Sequence, residues 1–137
     1  MDQAQSIRYA AHSDSVRVLI VDDDKDWCEA AALALENEGI HADSVHNGDD
    51  AIDRLSRSRY DAAIVDVHMP GRWGVDVVRE LRESHGIQLP IIIATAAPQA
   101  AGVCAGLMAG ADEEFFKCDS NQDIVNKLRR LWRARAH

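Results

Sequence analysis

Apolar positions along the chain come as short runs, separated by longer stretches of helical period. "VRVLIV" (16–21) reads as a first strand. Asp24 is placed to cap a helix that runs through Ala30, Ala31, Ala34 and Leu35 and stops at Gly39. Ile40–Val45 predicts a weaker strand, followed by a turn pair at Asn47-Gly48 and a short helix through Leu55. "YDAAIVD" (60–66) is a third strand, and after "VHMPGRWG" comes a helix over Val75–His85 with Gly86 as its stop. "LPIIIATA" holds the kind of apolar run that is covered on both faces in the centre of a parallel sheet. A small-residue helix ("QAAGVCAGLMAG"), a short strand ("EEFF") and a last helix opened by a capping box at Ser120–Asp123 complete the pattern. Five strands alternating with five helices predict an α/β fold, a doubly wound five-stranded parallel sheet flanked by the five helices. The polar lead-in "MDQAQSIRYAAHSDS" makes residues 1–15 an N-terminal extension and 16–137 one domain.

In such sheets ligands bind beyond the C-terminal ends of the strands. The predicted first, third, fourth and fifth strands end there in Asp22 and Asp23, Asp66, Thr95 and Lys117. Two carboxylates ~4 Å apart repel by about 4 kcal/mol at an effective dielectric near 20, so this cluster calls for a cation. Mg2+ suits it, being a hard ion that takes a few carboxylate oxygens and keeps waters for an incoming phosphate. With Asp23 and Asp66 on such an ion, Asp66 can act as a carboxylate nucleophile toward phosphorus. Lys117 would balance the charge of the transferred group and Thr95 would hydrogen-bond one of its oxygens.

Composition narrows the setting. A chain of 137 residues, 47% hydrophobic and 28% charged, buries one real core. No stretch reaches the ~18 apolar residues of a membrane helix, and the opening residues lack the apolar core of a signal peptide. Cys28, Cys104 and Cys118 are odd in number and widely spaced, which fits reduced thiols and a cytoplasmic protein. A formal net charge of -8 argues against a nucleic-acid or membrane surface. Lys127, Arg129, Arg130, Arg133 and Arg135 crowd the last helix, where the C-terminal dipole welcomes cations.

"VLIVDDD", "AAIVDVHMPGRWG", "IIIATA" and "GADEEFFK", four motifs in this order at strand ends, resemble the receiver domain of bacterial two-component response regulators over residues 16–134. The resemblance implies a flavodoxin-like receiver fold and a phosphoacceptor switch in which Asp66 takes a phosphoryl group from a histidine kinase or a histidine phosphotransfer protein. It further implies that Asp23 binds Mg2+ directly, that Asp22 helps through water, and that the backbone carbonyl of His68 is another ligand. Such a domain promotes its own phosphorylation and dephosphorylation rather than acting as a conventional enzyme. Its output is a changed affinity for a downstream protein target, with no direct contact to nucleic acid and none to membrane. Output is expected through protein contacts or through a domain absent from this chain.

Four positions depart from the family pattern. Cys118 stands where proline usually follows the lysine, which predicts a trans Lys117–Cys118 peptide. Glu114 replaces the aromatic that usually turns inward on activation, so Phe115 or Phe116 is expected to face the core instead. His68 and Ala97 flank the path of an attacking water. In the helix before "EEFF", Gly102 and Gly106 fit a closely packed small-residue face. They also leave that helix weak enough to shift on phosphorylation.

Three rival readings fit parts of the pattern. A Mg2+-dependent aspartyl phosphatase would use Asp22 as nucleophile, but Asp26 lies where that family has Thr or Val. A calcium loop fails because Trp27 and Leu33 occupy its glycine and bidentate-acid positions. A receiver-like module that binds partners without phosphorylation is the main alternative, kept open by Glu114 and Cys118.

Overall fold

The computed structural model describes residues 16–96, 105–107 and 109–135. Its strands are β1 (Arg17–Val21), β2 (His41–Val45), β3 (Ala62–Asp66), β4 (Ile91–Thr95) and β5 (Glu113–Phe116). Its helices are α1 (Lys25–Glu36), α2 (Gly48–Arg57), α3 (Gly74–Glu83) and α4 (Gln122–Arg135). Residues 105–107 and 109 are helical between β4 and β5, where the fifth helix is expected. The strands form one parallel sheet in the order β2-β1-β3-β4-β5. Ser120 marks the entry to α4 with its hydroxyl accepting from Gln122 N–H at 3.2 Å.

The period-two alternation of the inner strands divides the core in two. Leu19, Val21, Ala63, Val65, Ile91 and Ile93 face Ala51, Ile52 and Leu55 of α2 and Val77, Val78 and Leu81 of α3. On the opposite face Val18, Ile20, Ala62, Ile64, Ile92 and Ala94 meet Cys28, Ala31 and Leu35 of α1 and Ile124, Val125, Leu128 and Trp132 of α4. β3 and β4 are buried at every position because helices cover both faces, whereas the edge strands β2 and β5 keep partly exposed residues.

Several boundaries differ from expectation for physical reasons. Val16, Ile40 and Tyr60 precede the ladders, although each is buried. Apolar burial continues past the end of backbone pairing, so an apolar run overstates strand length. Asn47-Gly48 is not a separate turn: the Asn47 side chain accepts from Asp50 N–H at 2.8 Å and caps α2, whose first residue is Gly48. Asp24 caps α1 as expected, accepting from Trp27 N–H at 3.1 Å. Past the end of α1, Gly39 takes a positive φ of 79° that suits glycine. All described peptides, Lys117–Cys118 included, are trans.

Arg82 organises the approach to β5. Its guanidinium donates to the carbonyls of Gly110, Ile87 and Leu89 and pairs with Asp112 at 3.0 Å. The basic residues of α4 do more than answer a helix dipole. Arg129 pairs with Glu38 at 2.8 Å, and Lys127 and Arg130 both reach Glu113 at 3.7 Å.

Candidate functional site

Strand order reverses between β1 and β3, since β1 leads outward to β2 while β3 leads the other way. That switch point leaves a crevice at the C-terminal strand ends. Asp22 sits there directly after β1, Asp66 closes β3, Thr95 closes β4 and Lys117 follows β5. Asp22, Asp66 and Thr95 are the buried polar residues among those described, at 1%, 6% and 1% exposure.

Asp22 is fixed from several sides. Its Oδ1 accepts from Asp24 N–H at 2.9 Å, and its own N–H donates to the Val45 carbonyl at 3.1 Å. Its carbonyl accepts from the Cys28 thiol at 3.5 Å and lies 3.0 Å from His46 Nδ1. Its Oδ2 forms an ion pair with Lys117 Nζ, which also stands 3.0 Å from Asp66 Oδ1. Burial works against the lysine's charge, but hydrogen bonds and attraction from Asp22 and Asp66 outweigh it and raise its pKa. Lys117 is therefore a fixed cation. Burial, reinforced by the Asp22 charge and only partly offset by Lys117, pushes the Asp66 carboxyl up to about 6. At neutral pH it remains a carboxylate, and an uncomfortable one.

Asp22, Asp23 and Asp66 each offer a carboxylate oxygen, and these atoms lie within 4.8 Å of one another. Asp23 is the exposed member. Three carboxylates against one ammonium leave a formal charge of -2, and the donors are all hard oxygens, a set that fits a hard divalent cation. No histidine ring or thiol among the described residues joins the group. The His68 side chain is exposed and meets the Trp73 ring edge-on at 4.7 Å between centroids.

The loop after β3 is drawn tightly back over the site. Val67 N–H donates to the Ala94 carbonyl, and Gly74 N–H donates to the Val67 carbonyl at 2.8 Å. A Cβ at Gly74 would lie 1.9 Å from the Asp66 carbonyl oxygen, so only glycine permits this approach. Lys117 N–H donates to the Thr95 carbonyl at 2.8 Å, tying the fourth and fifth strand ends together.

Asp22, Asp23, Asp66 and Lys117 thus come together as the strand-end pattern implies, and Thr95 adjoins them through its backbone bond to Lys117. Phe115 is the phenylalanine that faces the core, at 1% exposure, while Glu114 beside it is half-buried rather than fully exposed. Gly106 packs closely: a Cβ there would meet Ile93 Cγ1 at 3.0 Å. Ala97, Gly102 and Cys104 lie outside the described residues. Trp27 enters the sequence reading only as the residue that breaks a calcium loop. Its ring centroid lies 4.8 Å from Lys117 Nζ, and its one sequence signal is an aromatic in the first turn of the helix that follows the acids.

The pattern of the response regulator receiver domain matches residues 18–129. The response regulator MprA of Mycobacterium bovis (strain BCG / Pasteur 1173P2) is 38% identical over 119 residues, covering 87% of this chain and 51% of that protein. The chain spans about half the length of the curated relatives it matches. Among solved structures, the Francisella response regulator 1452 receiver domain superposes with a TM-score of 0.79 at 26% identity, covering 87% of this chain and 98% of that one. The response regulator TrrA of Thermotoga maritima, solved in complex with Mg(2+)-BeF, gives a TM-score of 0.76 at 30% identity, covering 85% and 98%. By sequence, by fold and by the arrangement of its strand ends, the chain belongs to the response regulator receiver domain family.

Proposed function

We propose that Asp66 is the phosphoacceptor of this receiver, taking a phosphoryl group from a phosphohistidine on a histidine kinase or histidine phosphotransfer protein. The observation that carries this reading is the meeting of buried Asp22 and Asp66 on one lysine ammonium, with Asp23 beside them at the switch point of the sheet. Mg2+ would be held by Asp22, Asp23, Asp66 and the backbone carbonyl of His68, and when bound it supplies positive charge to the phosphoryl oxygens. The Mg(2+)-BeF complex of the Thermotoga relative supports that choice of cation.

In the transfer, an Asp66 carboxylate oxygen forms a bond to phosphorus as the P–N bond of the phosphohistidine breaks. The electron pair leaves with the imidazole, which takes up a proton. Lys117 neutralises charge on the transferred group, and the Thr95 hydroxyl hydrogen-bonds one of its oxygens. The product carries up to about two negative charges on the phosphoryl group, in place of the single charge of the Asp66 carboxylate. Attraction of Thr95 and Lys117 toward them biases the domain between two packings and so changes its affinity for a downstream protein target. The domain is taken as residues 16–137, working in the cytoplasm through protein partners, without direct contact to nucleic acid or membrane. Free thiols at Cys28 and Cys118 support that compartment, and no helix among the described residues is long and apolar enough to cross a membrane.

Borohydride reduction tests the assignment, because it converts an aspartyl phosphate to homoserine. After phosphorylation, peptide mass spectrometry should find homoserine at position 66. Homoserine at position 22 instead would support the phosphatase-like alternative, and none at either would support the phosphorylation-independent module.

A further inference from the structure

We propose that Trp27 is a positioning residue for Lys117, its indole face forming the wall that keeps the ammonium over the Asp22 and Asp66 carboxylates. The inference rests on the phosphoacceptor reading and adds to it a residue on α1. Lys117 Nζ lies 4.8 Å from the centroid of the Trp27 ring. That is inside the ~6 Å range of a cation–π interaction. The same ring leans on Phe115, with centroids 6.4 Å apart and planes at 39°.

Phe115 and Lys117 are two residues apart at the end of β5, so both are directed to the same side of the sheet. One indole therefore touches both. Phe115 is fully in the core and braces the ring, and the ring in turn bounds the lysine. Lysine needs such a boundary. Its four-carbon stem is flexible and its ammonium is a point charge with no preferred plane, so two carboxylates set its distance but not its direction of approach.

The indole nitrogen gives a second, independent indication. Trp27 Nε1 is buried and has no hydrogen-bond partner among the described residues. A buried donor without a partner is unfavourable, so its N–H is not what keeps the ring there. What the ring does offer is its face, and tryptophan is the strongest cation–π surface among the side chains.

The test follows phosphorylation by acetyl phosphate and Mg2+ with intact mass, for wild type, Trp27→Leu and Trp27→Phe, with Asp66→Asn as the blank. Urea denaturation checks that each variant is folded under assay conditions. Trp27→Leu should slow phosphorylation about fivefold, and Trp27→Phe, which keeps a ring face, should restore most of the rate. The unphosphorylated protein offers a direct readout: Lys117 side-chain proton resonances should be displaced upfield by the indole in wild type and lose that displacement in Trp27→Leu. Equal rates for wild type and Trp27→Leu, or Lys117 resonances without ring-current displacement in wild type, would overturn the positioning role alone. A wild type that takes up no phosphate overturns the underlying reading and this role with it.

Discussion

Replacing Asp66 with asparagine is expected to stabilise the cation-free protein at neutral pH while removing the proposed phosphoacceptor. Asp66 is 6% exposed, and burial together with the Asp22 charge raises its carboxyl from 3.8 to about 6. A difference of about 2 in pKa, at 1.36 kcal/mol for each, corresponds to about 3 kcal/mol. The sign follows from proton binding. Between pH 4 and 6 the folded state holds this proton while the unfolded state has released it, so stability falls as pH rises through that window. Above it the full penalty applies; below it there is none. Asparagine removes the charge and leaves Lys117 its partner in Asp22, so about 1–3 kcal/mol should be recovered. For a domain of this size that raises Tm by roughly 4–12 °C.

The assay is thermal and urea denaturation of both proteins in EDTA at pH 7.5, repeated at pH 4. The variant should be more stable at pH 7.5, and the gap should shrink toward zero at pH 4. Millimolar Mg2+ should then narrow the gap at pH 7.5 by stabilising wild type more than the variant. An asparagine variant no more stable than wild type in EDTA at pH 7.5 would refute the claim that the acid cluster stores unfavourable charge.

Three further perturbations probe other parts of the molecule. Gly74→Ala places a methyl 1.9 Å from the Asp66 carbonyl oxygen, so urea denaturation should register a loss of about 2–3 kcal/mol and phosphorylation should slow. Asp24→Ala removes the cap of α1, costing about 1 kcal/mol by the same measurement while phosphorylation proceeds, because Asp22 is held by the Asp24 backbone N–H rather than its side chain. Burial, aided by the Asp22 charge, pushes the Cys28 thiol up to about 11, so brief iodoacetamide treatment at pH 8 should modify exposed Cys118 and spare Cys28; peptide mapping that finds Cys28 alkylated in the folded protein would contradict that packing.

Much of the site was legible because a parallel sheet gathers its strand ends without regard to sequence distance. Asp22, Asp66, Thr95 and Lys117 are each the residue at which an apolar run stops, and strand order alone then makes them neighbours. Signals that depend on one residue type serving two purposes are ambiguous. Asn47 favours both turns and helix caps, and the acids at Asp49 and Asp50, suited to a helix N-terminus, were the cue that separated them. Contacts made only by tertiary packing left no local trace. The stacking of Trp27 on Lys117, the closure of Gly74 on Asp66 and the carbonyl cluster around Arg82 join residues from separate elements, and no periodicity marks them.

The most direct measurement is the intact mass of wild type and Asp66→Asn after incubation with Mg2+ and acetyl phosphate, with and without EDTA. One added phosphate is expected on wild type, lost in EDTA and absent from the variant. A phosphate carried equally by Asp66→Asn, or uptake by wild type undiminished in EDTA, would contradict the claim that Asp66 and a divalent cation together form the phosphoryl-accepting site.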